Sequence, residues 1–200
     1  VDSIDRDDAA ADRAYGTSTA LAVPGGRADL SLRAGQGGLL FSAAVGLGSG
    51  IEISGQLGGA SEVGLVGGDV KIAVARKRTW GLALDGGYHL VGDGEGGGGL
   101  VSFGAVVSAV SDEAVFSFGG GVIGATGSDA VPYANASLVA GRGGFRPIVE
   151  GAIVSSSAFG FLGARVGNGT VALDAGVGFG GGDGVSGVGP VPLVGLTLRP

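Results

Sequence analysis

Apolar residues recur at every second position along much of the chain. Within residues 39–59, LLFSAAVGLGSGIEISGQLGG, the apolar residues Leu39, Phe41 and Val45 share one parity, and after the turn sequence GSG the alternation resumes around Ile53. A period of two predicts β-strands with one apolar and one polar face. No window contains roughly 18 uninterrupted apolar residues, so the sequence argues against a membrane-spanning helix.

The alternating segments are about ten residues long and are separated by turn residues, as in transmembrane strands. We therefore predict an all-β fold, a closed antiparallel transmembrane β-barrel of about 12 strands. An even number brings both termini to one end, and closure leaves no strand edge unpaired in lipid. Ten or fourteen strands are the nearest alternatives, and a soluble β-sandwich is the alternative fold. The predicted strands are 27–34, 38–47, 51–59, 68–77, 79–90, 99–110, 114–124, 132–141, 146–155, 159–167, 170–180 and 189–198.

Composition narrows the class further. The 47 glycines do not follow a collagen period, and the mean hydropathy of +0.46 is too high for a disordered low-complexity chain. The chain has no cysteine and one histidine, so we expect no metal site and no cofactor. The net charge of −6 argues against nucleic acid as a partner. The absence of methionine suggests a processed chain.

The connections fall into two predicted sets if the first strand runs outward. The inner turns are short, at 48–50, 77–79, 111–113, 142–145 and 168–169, whereas the outer loops include ASEVGLVG, VGDGEGGGG, ATGSDAV and GGDGVSGV. Outer-membrane barrels show this asymmetry. The outer loops hold acidic residues and no basic ones, which predicts an acidic outer mouth formed by Glu62, Asp93, Glu95, Asp129 and Asp183.

The layout of residues 17–198, entered through TSTALAVPGGRADLSLRAG, resembles that of bacterial outer-membrane β-barrel proteins, in particular small porin-like barrels. The resemblance implies an outer-membrane protein with both termini in the periplasm. Its partners would be the lipid bilayer and, as further candidates, other envelope proteins. We predict that residues 1–26 form an acidic periplasmic lead-in and residues 27–200 the barrel. The chain ends in LTLRP, whereas such barrels usually end in an aromatic residue.

Strand parity predicts which side chains face lipid and which face the lumen. The apolar parity assigns to lipid Leu30, Leu32, Phe41, Val45, Ile53, Val70, Ile72, Leu82, Leu84, Val107, Leu173, Val177, Leu196 and Leu198. The polar parity assigns to the lumen Arg27, Asp29, Arg33, Glu52, Gln56, Asp69, Lys71, Asp85, His89, Asn135, Glu150, Arg165, Asp174 and Thr197. Strand 159–167 is ambiguous, because an inward Arg165 also places Phe159 and Phe161 inward.

These features favour a narrow passive pore for small polar solutes or ions, with a weak preference for cations. The alternative is a non-conducting barrel that anchors or seals an envelope assembly. A third candidate is an outer-membrane hydrolase, since His89 shares parity with Asp85 and could face Ser102 across a hairpin. A lone histidine among inward polar residues is more often a hydrogen-bonding side chain, so we expect no catalytic residues and no enzyme activity.

Overall fold

The computed structural model describes residues 19–35, 38–60, 63–93, 96–141, 144–182 and 185–200. Strands make up the regular structure of these residues, and none of their segments forms a helix long and apolar enough to cross a membrane. The strands are β1 (Ala28–Gly35), β2 (Gly38–Gly48), β3 (Ile51–Ala60), β4 (Val63–Arg76), β5 (Trp80–Gly92), β6 (Gly97–Val110), β7 (Ala114–Ala125), β8 (Val131–Ala140), β9 (Phe145–Val154), β10 (Ser157–Gly167), β11 (Val171–Gly182) and β12 (Val185–Leu198).

The twelve strands form one closed antiparallel barrel, which confirms the predicted fold class and strand count. Each strand pairs with its neighbours in sequence, and β1 closes the barrel against β12 from Leu30 opposite Leu198 to Gly35 opposite Leu193. The start of β1 and the end of β12 therefore lie at the same end of the barrel. We call this the terminal end and the opposite end the loop end.

The outer face of the barrel is apolar. Of the residues predicted to face lipid, Leu30, Leu82 and Leu196 are half-buried and all the others are exposed. Large apolar side chains such as Leu57, Phe118 and Leu162 are also exposed on this face. A soluble protein rarely exposes a contiguous apolar surface of this extent. The alternation therefore produces an outward band suited to lipid contact.

Most of the long loops predicted at the loop end are shorter in the structure, whereas the predicted loop ATGSDAV contains the connection 126–130. Val63–Gly67 belongs to β4, and the glycine-rich stretch after Gly92 is shortened to a turn at 93–96 because Gly97–Gly99 belongs to β6. The longest connection between strands is 126–130. Glycine has no side chain, so a glycine-rich stretch shows no alternation of apolar and polar residues. The sequence pattern therefore does not reveal that the strand continues through it.

Glycines on the inner face make room for large side chains. The ring of Phe161 lies over Gly163 and Gly176, where an added Cβ would come within 2.5 and 2.7 Å of it. Phe161 is buried and packs with Val139 and Ile148, and Arg165 is buried on the same face of β10. Phe159 has the same parity, with its ring over Gly180. The ambiguity of this strand is thus resolved, because Arg165 and the two phenylalanines face inward together.

Candidate functional site in the barrel interior

The inner face carries most of the charged side chains of the strands. Apart from Arg27, the residues predicted to line the lumen lie in strands, on the face opposite the exposed apolar residues. Arg27 precedes β1 and is exposed, and its carbonyl accepts a hydrogen bond from the Gly46 N–H at 3.0 Å. Arg27 therefore lies next to the polar inner face of β1 at the terminal end, and the first buried residue of that face is Asp29.

The half of the lumen next to the terminal end is tightly filled. Every strand contributes at least one inward side chain that is less than 9% exposed. In strand order from β1 to β12 these include Ser31, Ala44, Glu52, Lys71, Ala83, Ser108, Ser117, Val139, Ile148, Arg165, Asp174 and Thr197. Because burial extends around the whole circumference, this half is the constriction of the barrel.

Ion pairs bridge neighbouring strands within the constriction. Arg165 and Asp174 face each other in the β10–β11 register, and the guanidinium donates two hydrogen bonds to the carboxylate, Nε to Oδ1 at 2.6 Å and Nη2 to Oδ2 at 2.9 Å. Glu52 and Lys71 are register partners on β3 and β4, with 3.7 Å between Oε1 and Nζ. Buried charges persist when they are paired and hydrogen-bonded in this way.

Three arginines of the interior were missed by the sequence prediction: Arg76, Arg199, and Arg146 of β9, which lies opposite Arg165 in the β9–β10 register. Arg199 follows the last strand and donates two hydrogen bonds to Asp29, at 2.5 and 3.0 Å. It shares the parity of Thr197, so continuing the alternation beyond residue 198 would have found it. Arg76 faces inward because the β4–β5 register shifts between Ala73 and Ala75, which reverses the parity after the bulge.

The chain segment before β1 lies inside the constriction. We call Thr19–Val23 the inner segment; its five residues are 0–3% exposed. The Ala20 N–H donates to Ser108 Oγ and the Val23 N–H to Glu52 Oε2, each at 2.8 Å, and Arg76 Nη2 donates to the Ala22 carbonyl at 3.1 Å. The part of the predicted lead-in that the structure describes is therefore in contact with the lumen wall. Residues 1–18 lie outside the described ranges.

Apolar contacts complete the seat of the inner segment. Ala20 packs with Ala83 of β5 and Val106 of β6, and these three side chains are almost fully buried. Leu21 packs with Val110 and Val115, at the turn between β6 and β7. The inner segment therefore lies against the wall formed by β5, β6 and β7.

The loop-end half of the lumen is wider and more accessible. We call it the vestibule; its half-buried inward polar residues include Arg33, Gln56, Asp69, Asp85, His89, Ser102, Tyr133 and Asn135. Asp69 accepts hydrogen bonds from Gln56 Nε2 and His89 Nε2, both at 3.0 Å. Asp85 and Tyr133 approach each other over Gly104, where any added Cβ would collide with the tyrosine hydroxyl. The vestibule thus presents carboxylates, amides, hydroxyls, an imidazole and a guanidinium to the lumen.

The predicted Ser–His–Asp arrangement does not form. His89 is hydrogen-bonded to Asp69 rather than to Asp85 or Ser102, and its Nδ1 lies over Gly67 on β4. A nucleophile and its base need a hydrogen bond between them, and Ser102 lies on β6 as the register partner of Gly87. In the described ranges, no three His, Asp or Glu side chains are grouped so that they could hold a metal ion.

Two of the residues predicted for the acidic mouth have described positions, and both lie at the loop end. Asp93 is exposed in the β5–β6 turn, where its Oδ1 accepts the Gly96 N–H at 2.8 Å. Asp129 is exposed in the connection 126–130. Glu62, Glu95 and Asp183 lie outside the described residues.

Comparison with solved structures finds the same barrel in outer-membrane proteins. The KdgM porin superposes with a TM-score of 0.64 at 9% identity, covering 86% of this chain and 98% of that one. The NanC porin gives a TM-score of 0.61 at 10% identity, with 86% and 97% covered. LpxR from Salmonella typhimurium gives 0.53 at 10% identity, with 86% and 99% covered. No protein-family model and no curated protein matches the chain significantly.

At these identities the comparison shows the fold, which is that of small outer-membrane porins. Together with the closed twelve-strand ladder and the apolar outer face, it shows that the chain is a bacterial outer-membrane β-barrel protein with a porin-like fold. The lipid bilayer is therefore its immediate surroundings.

Proposed function

We propose that this barrel is a narrow passive pore for small polar solutes or ions. The observation that carries the proposal is the polar inner face, which continues from the half-exposed vestibule to the ion pairs of the constriction inside an apolar shell. Barrels of about 8 strands are filled by side chains and those of about 16 strands hold aqueous channels, so twelve strands suit a slender passage.

The chemistry of the vestibule favours cations and neutral polar solutes. Among its described residues, the two half-buried carboxylates, Asp69 and Asp85, outnumber the one guanidinium, Arg33, and Asp93 and Asp129 add negative charge at the loop end. A second KdgM structure is of a complex with oligogalacturonate, a polymer of sugar acids. An anionic polymer would be repelled by these carboxylates, so we do not extend that ligand to this barrel.

The proposed orientation places the terminal end in the periplasm and the loop end outside the cell. The exposed basic residues Lys77 and Arg78 lie at the terminal end together with the acidic Asp112 and Glu113, whereas the charged residues described in the loop-end connections, Asp93 and Asp129, are both acidic. The longest connection also lies at the loop end, in keeping with the longer extracellular loops of outer-membrane barrels.

Planar-bilayer recording with the purified full-length protein tests the pore. We expect discrete conductance steps that are small compared with those of 16-strand porins. The control is the same preparation after heat denaturation, with folding checked by heat-modifiable migration on a gel. A folded protein that inserts and never conducts would contradict the proposal.

The tight filling of the terminal half favours a second candidate, a non-conducting barrel that anchors or seals an envelope assembly. Absence of conductance together with a protein cross-linked at the terminal end in intact cells would support it.

A third candidate function, that of a hydrolase, is supported by the shared fold, because LpxR is a hydrolase. Equal lipid hydrolysis by the unmodified protein and by His89→Ala would remove His89 from any such reaction.

A further inference from the structure

The inner segment contributes to the lumen without contributing to the barrel wall. The twelve strands pair around a complete circle, and Thr19–Val23 belongs to none of them. The side chains of Ser108, Glu52 and Arg76 form hydrogen bonds with the backbone of the inner segment. Withdrawing the inner segment would therefore leave the backbone hydrogen bonds between all strands intact.

The surface behind the inner segment combines the apolar side chains of Ala83, Val106, Val110 and Val115 with polar groups that water can hydrate. Glu52 and Lys71 remain paired with each other when the Val23 N–H is removed, and Ser108 retains its hydrogen bond to Ser117 at 2.7 Å. These groups would accept hydration once they were exposed. The wall is thus suited to both an occupied and a water-filled lumen.

The connection to β1 provides a pivot. Pro24, Gly25 and Gly26 join the inner segment to the strand, and Gly26 has a φ of 78°, a conformation that glycine adopts without strain. Gly25 and Gly26 are held at the barrel rim, since the Gly26 N–H donates to the Gly46 carbonyl at 2.9 Å. Movement of the residues before Pro24 therefore does not require movement of β1.

We propose that Thr19–Val23 is an occluding segment that gates the pore: seated, it closes the constriction, and displaced from the wall of β5 to β7, it opens a water-filled path. This inference rests on the proposed pore function. It assigns regulation of conduction to the inner segment and leaves the twelve strands as a static frame.

A reversible cross-link tests the gate in the full-length protein. A Cβ at Gly81 would lie 3.4 Å from the Ala20 Cβ, close to the roughly 3.5–4.5 Å found between the Cβ atoms of a disulfide. The chain has no cysteine, so Ala20→Cys with Gly81→Cys can form a single intramolecular bond. We expect the oxidised protein to remain closed and the reduced protein to show the openings of the unmodified barrel. Each single cysteine variant, under the same oxidant and reductant, is the control.

A second variant displaces the inner segment by introducing charged side chains into it. Ala20→Glu with Leu21→Glu cannot be buried against Ala83, Val106 and Val110, so the segment should leave and the pore should stay open. Thr79→Glu adds charge at an exposed turn position of the same end and should gate normally. Folding is checked by heat-modifiable migration.

The outcomes separate the gate from the pore. If the Ala20→Glu, Leu21→Glu barrel conducts while oxidised and reduced cysteine variants behave identically, the gate is refuted and the pore stands. If that folded barrel does not conduct, the pore fails and the gate fails with it. Openings that disappear on oxidation and return on reduction support both.

Discussion

Arg165 and Asp174 are each about 1% exposed and satisfy each other through two hydrogen bonds. Replacing Asp174 by Asn keeps the shape of the side chain but removes the carboxylate charge that pairs with the buried guanidinium. We expect Asp174→Asn to lower the free energy of unfolding by about 3–5 kcal/mol, measured by denaturant titration in lipid vesicles. Asp112→Asn, on an exposed turn, is the matched control and should change it by less than about 0.5 kcal/mol. Similar effects of the two substitutions would show that the pair is not structurally important.

His89 shows what residue-level sequence reasoning missed. Parity placed His89, Asp69 and Asp85 on one face of the barrel, and the structure agrees. Parity does not reveal which carboxylate the imidazole meets, since this depends on the β4–β5 register, in which His89 lies opposite Gly67 and Asp69 opposite Gly87. Because Gly67 and Gly87 have no side chains, the side chains of His89 and Asp69 can reach each other diagonally across the two strands.

At the scale of the strand, the same substitution to arginine should have different effects on the lipid-facing side and on the lumen-facing side. Val70 of β4 is exposed on the apolar outer face, whereas Ser102 of β6 is a half-buried vestibule residue. We expect Val70→Arg to cost about 2–4 kcal/mol in a folding titration into lipid, because the charge meets hydrocarbon near the middle of the strand. Ser102→Arg places the same side chain in the lumen and should cost much less. Comparable losses at both positions would contradict the assigned faces.

The strands themselves were largely predictable. All twelve were placed, because each has a segment of strict alternation, and most boundaries agree within a few residues. The errors occur where alternation is absent or reversed. Val63–Gly67 was assigned to a loop, and Arg76 was not assigned to the interior because one extra residue in β4 reverses the parity. A β-bulge cannot be recognised from the hydrophobic pattern of a single short strand such as β4.

At the scale of the molecule, the lumen is divided into an accessible vestibule and a filled constriction. The sequence predicted the polar lining but not this division, because the inner segment lacks charged residues and carries no strand signal. Its seat depends on contacts with strands that lie 29 to 88 residues away in the sequence, such as that between Ala20 and Ser108. Long-range packing of this kind cannot be inferred from a local pattern.

The division changes the expected salt dependence of ion selectivity. Exposed carboxylates such as Asp93 are screened within about 8 Å at physiological ionic strength, whereas Asp69 and Asp85 are partly enclosed and less screened. We expect a weak cation preference that persists as salt rises and is reduced in Asp69→Asn with Asp85→Asn, measured by reversal potentials across a salt gradient. Asp112→Asn, at the terminal end, should leave the preference unchanged. Anion preference in the unmodified protein would contradict the assignment.

The pairing of β1 with β12 joins opposite ends of the chain, and the contact between Arg199 and Asp29 spans 170 residues. All other strand pairs are sequence neighbours, so their hairpins close short loops at a small cost in chain entropy. The join between the first and last strands can form only when the intervening hairpins are in order. Non-local pairing of this kind is slow, which makes closure the late step of folding. The contact of Arg199 with Asp29 therefore forms in the last step of folding. Loss of Arg199 should slow the pairing of β1 with β12 while leaving early hairpin formation unaffected.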